Sequence, residues 1–167
     1  MITVCSKSIR ELRASMPATT QRLEVTLETA LESVDLAESI VKRIAEASGF
    51  TAEETDQIAM AVRESVINAY NYGNRHDPRK KIGLLVEFDP NRMIVHVRDE
   101  GAGFDPAQIP DPLAEDNLLR TSGRGLFLMR AFMDDVTVRR RPGGGAELVM
   151  SKKLPHPLFG DSRSHTR

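Results

Sequence analysis

Between Arg22 and Leu154 the apolar residues change period several times, from alternate positions to helical spacing and back, and that order limits the chain to helices laid against a sheet. Leu23, Val25 and Leu27 alternate with polar neighbours, the pattern of a half-buried strand. Val34, Ala37, Ile40, Val41, Ile44 and Ala45 then recur at helical spacing, and Gly49 is placed to end that helix. Thr51, with Glu54 three residues on, predicts a capping box. It opens a second helix that runs to about Tyr72 and stops near Gly73-Asn74, with Ala59, Val62, Val66 and Ala69 as its buried stripe. Strands over 82–88 and 93–98 follow as a hairpin about Pro90-Asn91. A third helix is expected from Gly125 to Met133, and two last strands, Val136 to Arg141 and Glu147 to Leu154, flank Pro142-Gly-Gly-Gly145. The expected fold class is an α/β two-layer sandwich, a mixed, mainly antiparallel sheet with helices packed on one face.

A chain of 167 residues is one domain by length and can bury a real core. Residues 1–21 are expected to be a polar extension with a short helix around Ser8 to Met16, ended by Pro17. The domain proper is 22–154, and 155–167 a flexible tail. Pro106, Pro110 and Pro112 mark 106–122 as a loop, and loops of that length are usually functional or mobile. Lys plus Arg number 23 against 24 Asp plus Glu, so the net charge of −1 argues for neither a nucleic acid nor a membrane surface as partner. The single Cys5 excludes an internal disulfide framework, and no apolar run has the length or flanks of a signal peptide or a membrane span. The expected location is cytoplasmic.

Three short blocks carry the chemistry. In Glu64-Ser-Val-Ile-Asn68, helical spacing sets a carboxylate and a neutral oxygen ligand on one face, a base beside a metal site or simply an exposed polar pair. In Asp99-Glu-Gly101-Ala-Gly103-Phe104, one acid precedes two glycines that let backbone approach a flat ligand; a strand-ending turn would read the same way. Gly123-Arg-Gly125-Leu126 puts two glycines at the start of an apolar helical run, where free N–H groups hold phosphate or the glycines merely allow packing. No Gly-x4-Gly-Lys-Ser/Thr occurs, so this is not a P-loop. Arg139-Arg-Arg141 reads as a solvated strand edge, and His76, His96, His156 and His165 show no metal-ligand spacing.

In this order the blocks resemble the N-box, G1 box and G2 box of the GHKL ATPases, whose ATP-binding domain is the Bergerat fold, and the resemblance spans residues 22–154. Within that superfamily the chain is similar to the anti-sigma-factor serine/threonine kinases, through Gly123-Arg-Gly-Leu-Phe-Leu-Met129 followed by Met133-Asp134 and a strand. The resemblance implies ATP and Mg²⁺ as cofactors, with Glu64 as candidate general base and Asn68 as the Mg²⁺ ligand. It implies that Asp99 accepts a hydrogen bond from the adenine amine, while Gly101 and Gly103 turn the backbone beneath the base and open a lid. Main-chain N–H groups of Gly123, Arg124, Gly125 and Leu126 would surround the triphosphate, with Arg120 and Arg124 as cations flanking the lid. It further implies a homodimer that sequesters a sigma factor and phosphorylates a STAS-domain anti-anti-sigma protein, without contact to DNA. The alternatives are an ATP-binding interaction protein without catalysis and a detached histidine-kinase ATPase domain. Tyr72 stands where His commonly follows the N-box, and Ala146 where a Thr often follows the late glycines.

Overall fold

The computed structural model describes residues 21–102 and 121–157. Strand β1 (Arg22–Glu28) leads into helix α1 (Glu32–Ser48) and helix α2 (Ala52–Asn68), which continues as a π-helical turn over Ala69–Gly73. Strands β2 (Lys81–Phe88) and β3 (Arg92–Arg98), helix α3 (Thr121–Phe132) and strands β4 (Asp135–Arg140) and β5 (Ala146–Lys153) complete it. The sheet has five strands in the order β1-β2-β3-β5-β4. Every pair in it is antiparallel, so the mixed component expected of the sheet is not found among the described residues.

Local chemistry explains the helix boundaries. Gly49, at φ 89°, closes α1 in a Schellman arrangement: its N–H donates to the Glu46 carbonyl at 3.1 Å and that of Phe50 to Ala45 at 3.4 Å. The capping box is present, with Glu54 N–H donating to Thr51 Oγ1 at 3.2 Å and Thr51 N–H to Glu54 Oε2 at 3.0 Å. Two boundaries differ from expectation. The end of α2 widens into a π turn, in which Asn74 N–H reaches the Ala69 carbonyl at 2.7 Å, and this swings Asn74 into the interior instead of leaving it at a surface stop. Helix α3 already includes Thr121–Arg124, ahead of the start expected at Gly125, a stretch that periodicity misses because it carries no apolar period. The short helix expected around Ser8 to Met16 and the segment 103–120 lie outside the described residues, as does the tail beyond 157.

One face of the sheet carries the core. Leu27, Ile82, Leu84, Val86, Met93, Val95, Val97 and Met150 point alternately from their strands onto Val34, Ala37, Val41 and Ala45 of α1, Ile58, Val62 and Val66 of α2, and Met129 of α3. The helices therefore lie on one face, as the two-layer reading expects.

The other face is ionic. Arg98, Glu147 and Arg139 stand directly opposite one another across β3, β5 and β4. The Glu147 carboxylate accepts from Arg98 Nε at 2.7 Å and Arg139 Nε at 2.6 Å, and His96 lies 3.1 Å from both Glu147 and Glu87. Arg139 pairs with Glu147 while its exposed side chain lies on the edge strand β4, as the solvated-edge reading expects. Burial raises the Glu147 pKa, but the hydrogen bonds from Arg98, Arg139 and His96 outweigh it and hold the carboxyl down at about 2. A depressed pKa contributes stability above the unfolded value, near 4.5, that is lost as pH falls toward 2. Glu147→Gln should therefore cost about 1–3 kcal/mol at pH 7, and the gap to wild type should close between those two pH values. Urea unfolding at a series of pH values checks this; a constant gap would deny the carboxylate its role.

Candidate nucleotide site

Asp99 follows directly on β3 and is buried. Its Oδ1 accepts from Gly101 N–H at 2.8 Å and from Ala146 N–H at 3.1 Å. Its main chain pairs with β5, the N–H donating to the Ala146 carbonyl at 3.0 Å, and Arg141 Nη1 donates to the Asp99 carbonyl at 2.9 Å. The described hydrogen bonds engage only one carboxylate oxygen. Among the described residues Oδ2 accepts no hydrogen bond, and it suits a donor on a ligand.

Bare glycine backbone surrounds this carboxylate. A Cβ on Gly73 would stand 2.6 Å from Asp99 Oδ2, and one on Gly101 would stand 2.2 Å from the Gly73 carbonyl oxygen. Gly145, at φ 81°, would place a Cβ 2.0 Å from the Asp99 carbonyl oxygen. Side chains at these positions are thus excluded by the close approach of three chain segments around a single acid.

Glu64 and Asn68 sit one turn apart on α2, both half-buried. Across from them is the buried Gly125 of α3, where a Cβ would come within 2.9 Å of Glu64 Oε2 and 3.6 Å of Asn68 Nδ2. The first and third sequence blocks therefore meet at the α2–α3 contact. Gly123 and Arg124 lie in the helical backbone of α3, just ahead of Gly125. Gly125 and Leu126 lie deeper, and the Leu126 side chain packs against the core. Gly103 and Arg120 lie outside the described residues.

ATP and Mg²⁺ fit these groups on two counts. An unengaged carboxylate oxygen in a glycine-lined cradle suits an amine donor on a planar base. The Asn68 carbonyl is a hard oxygen atom of the kind Mg²⁺ takes alongside phosphate and water, with the Glu64 carboxylate one turn away as the candidate base. Among the described residues no three His, Cys, Asp or Glu side chains cluster as a metal site. Sequence reasoning did not pick out Gly73, Asn74, Arg141, Gly145 or the Ala146 amide as supports of Asp99. The one visible signal was the run Gly143-Gly-Gly145, whose three positive φ values of 89°, 111° and 81° form the β4–β5 turn.

The family model of the histidine kinase-like ATPase domain matches residues 27–152. Among curated proteins, the chain is 28% identical over 135 residues to the anti-sigma F factor of Clostridium acetobutylicum, covering 80% of this chain and 94% of that protein. It is 26% identical over 144 residues to the serine-protein kinase RsbW of Bacillus subtilis, covering 79% and 85%. The anti-sigma F factor of Bacillus subtilis is 31% identical over 106 residues, covering 62% and 73%. A mycobacterial sensor histidine kinase, MprB, has the same fold, with a TM-score of 0.51 at 15% identity over 81% of this chain and 99% of that one. With its strands and helices in this order, the chain belongs to the histidine kinase-like ATPase domain family, the GHKL superfamily, alongside the anti-sigma-factor serine kinases.

Proposed function

We propose that this protein is a cytoplasmic anti-sigma-factor serine/threonine kinase, which binds Mg-ATP, sequesters a bacterial sigma factor and phosphorylates a STAS-domain antagonist. The observation that carries this reading is the half-engaged Asp99 carboxylate, placed in the same domain as the Glu64–Asn68 pair packed on Gly125. Relatives named anti-sigma F factor and serine-protein kinase support it. No described helix is long and apolar enough to cross a membrane.

Asp99 would hold the adenine amine through Oδ2, and Asn68 would hold Mg²⁺ through its carbonyl oxygen. The Gly123 and Arg124 N–H groups would hold phosphate, with the Arg124 and Arg120 side chains supplying positive charge. ATP supplies the phosphoryl group and Mg²⁺ neutralises its charge. Glu64 orients the attacking Ser or Thr hydroxyl and accepts its proton. Gly101 lets the backbone beside Asp99 approach Gly73, Gly103 would open the lid, and Gly125 lets α3 close on Glu64. Two copies of the chain would form the working dimer.

The reading is tested by incubating the protein with radiolabelled ATP and its cognate STAS protein beside a sigma-factor binding assay. Transfer together with binding is the expected result. Tight partner binding without transfer would replace the kinase with a nucleotide-binding interaction protein. The metal assignment makes a separate prediction: Asn68→Ala should cut the Mg²⁺ enhancement of ATP affinity about tenfold, or about 1.4 kcal/mol. Titrations with Mg²⁺ and with EDTA measure it, and an undiminished enhancement places the metal elsewhere.

A further inference from the structure

Asn74 lies just past the π turn, where a polar residue would ordinarily face water, yet it is fully buried. Its side chain is completely used. Nδ2 donates to Thr29 Oγ1 at 2.8 Å and to the Lys81 carbonyl at 2.9 Å, while Oδ1 accepts from Glu100 N–H at 2.8 Å. One amide thus joins the turn after β1, the first residue of β2 and the loop that carries Asp99. The network continues outward: Thr29 Oγ1 donates to the Lys80 carbonyl at 2.7 Å, and Lys81 N–H donates to Glu100 Oε2 at 2.8 Å.

The chain leaving Asn74 is strained. Arg75 and His76 have φ of 54° and 62°, consecutive left-handed positions in residues that carry side chains. The turn is held by His76 N–H on the Tyr70 carbonyl at 3.0 Å, by the 2.8 Å contact of His76 Nε2 with Asn71 Oδ1, and by the Tyr70–His76 ring contact. A fold sustains such strain where the neighbouring bonds over-determine the position.

Both residues next to Asn74 in this arrangement touch the recognition acid. Gly73 precedes it and lies against Asp99 Oδ2, and Glu100, whose amide it holds, follows Asp99 directly. From this juxtaposition we infer that Asn74 is a positioning residue for base recognition. It never touches the nucleotide, but fixes the free oxygen of Asp99 where an exocyclic amine meets it, and so sets selectivity for adenine. The inference rests on the proposed reading of Asp99 as the adenine acceptor.

The test compares ATP with purine riboside triphosphate, which lacks the amine, by calorimetric titration of wild type, Asn74→Ser and Thr29→Val. Thr29→Val removes one leg of the network and leaves Asn74 in place. For a positioning role, Asn74→Ser should weaken ATP about tenfold while changing the amine-free ligand less than about threefold, the loss of one charge-assisted bond. Thr29→Val should show the same preferential loss of ATP over the amine-free ligand, smaller in size, and it carries the test alone if Asn74→Ser does not melt cooperatively. A merely structural asparagine would weaken both ligands equally, and that result, or no loss for either, overturns the inference. If wild type itself binds the two ligands equally, the Asp99–amine reading falls, and the role of Asn74 falls with it.

Discussion

Glu64→Gln is expected to lower phosphate transfer to a STAS partner by roughly 10²-fold or more while leaving ATP and sigma-factor binding near wild type. The substitution keeps size and helix propensity, so α2 and its contact with Gly125 persist, and the amide cannot take a proton from the attacking hydroxyl. In free-energy terms this is about 2.7 kcal/mol of transition-state stabilisation. Single-turnover transfer with labelled ATP, beside equilibrium binding of both partners, checks it. If turnover survives, positioning and charge neutralisation carry the reaction without a base.

Asp99→Asn is expected to weaken ATP binding by about 1.5–3 kcal/mol, roughly 10- to 10²-fold, with little loss of stability. The structure dictates which way the new amide must lie. The Gly101 and Ala146 N–H groups both donate to Oδ1, so the asparagine carbonyl has to occupy that position. Its NH₂ then takes the place of Oδ2 and presents a donor to the adenine amine, itself a donor. The same NH₂ suits the carbonyl that guanine carries there, so the ratio of ATP to GTP affinity should fall further than ATP affinity alone. Calorimetric titration with both nucleotides measures this, and an unchanged ratio would remove base recognition from Asp99.

The features read correctly from sequence were those set by neighbours within one turn or one strand. Gly49 ends α1 because the next bonds need a left-handed residue, and Thr51 with Glu54 caps α2 because the two groups are three positions apart on any helix. Alternation in β1 set the side on which Val25 and Leu27 meet the core. The Glu64–Asn68 spacing set both groups on one side of α2. These are properties of local geometry, and local geometry is written in the order of residues.

What surrounds Asp99 is of another kind. Asn74 reaches the Glu100 amide across 26 positions, Arg141 reaches the Asp99 carbonyl across 42, and Ala146 reaches its carboxylate across 47. None of these pairs has a sequence spacing that signals it. The β3–β5 register, together with the π turn that rotates Asn74 inward, creates them. The helical backbone over Thr121–Arg124 belongs here too, since no apolar period marks it and packing against α2 sets where Gly125 stands. Sequence by itself determined the elements, the core face and the three blocks, because periodicity and capping act within a few residues. Only the tertiary structure decided which oxygen of Asp99 is free and what holds it, because hydrogen bonds between distant segments exist only once the sheet register has brought those segments together.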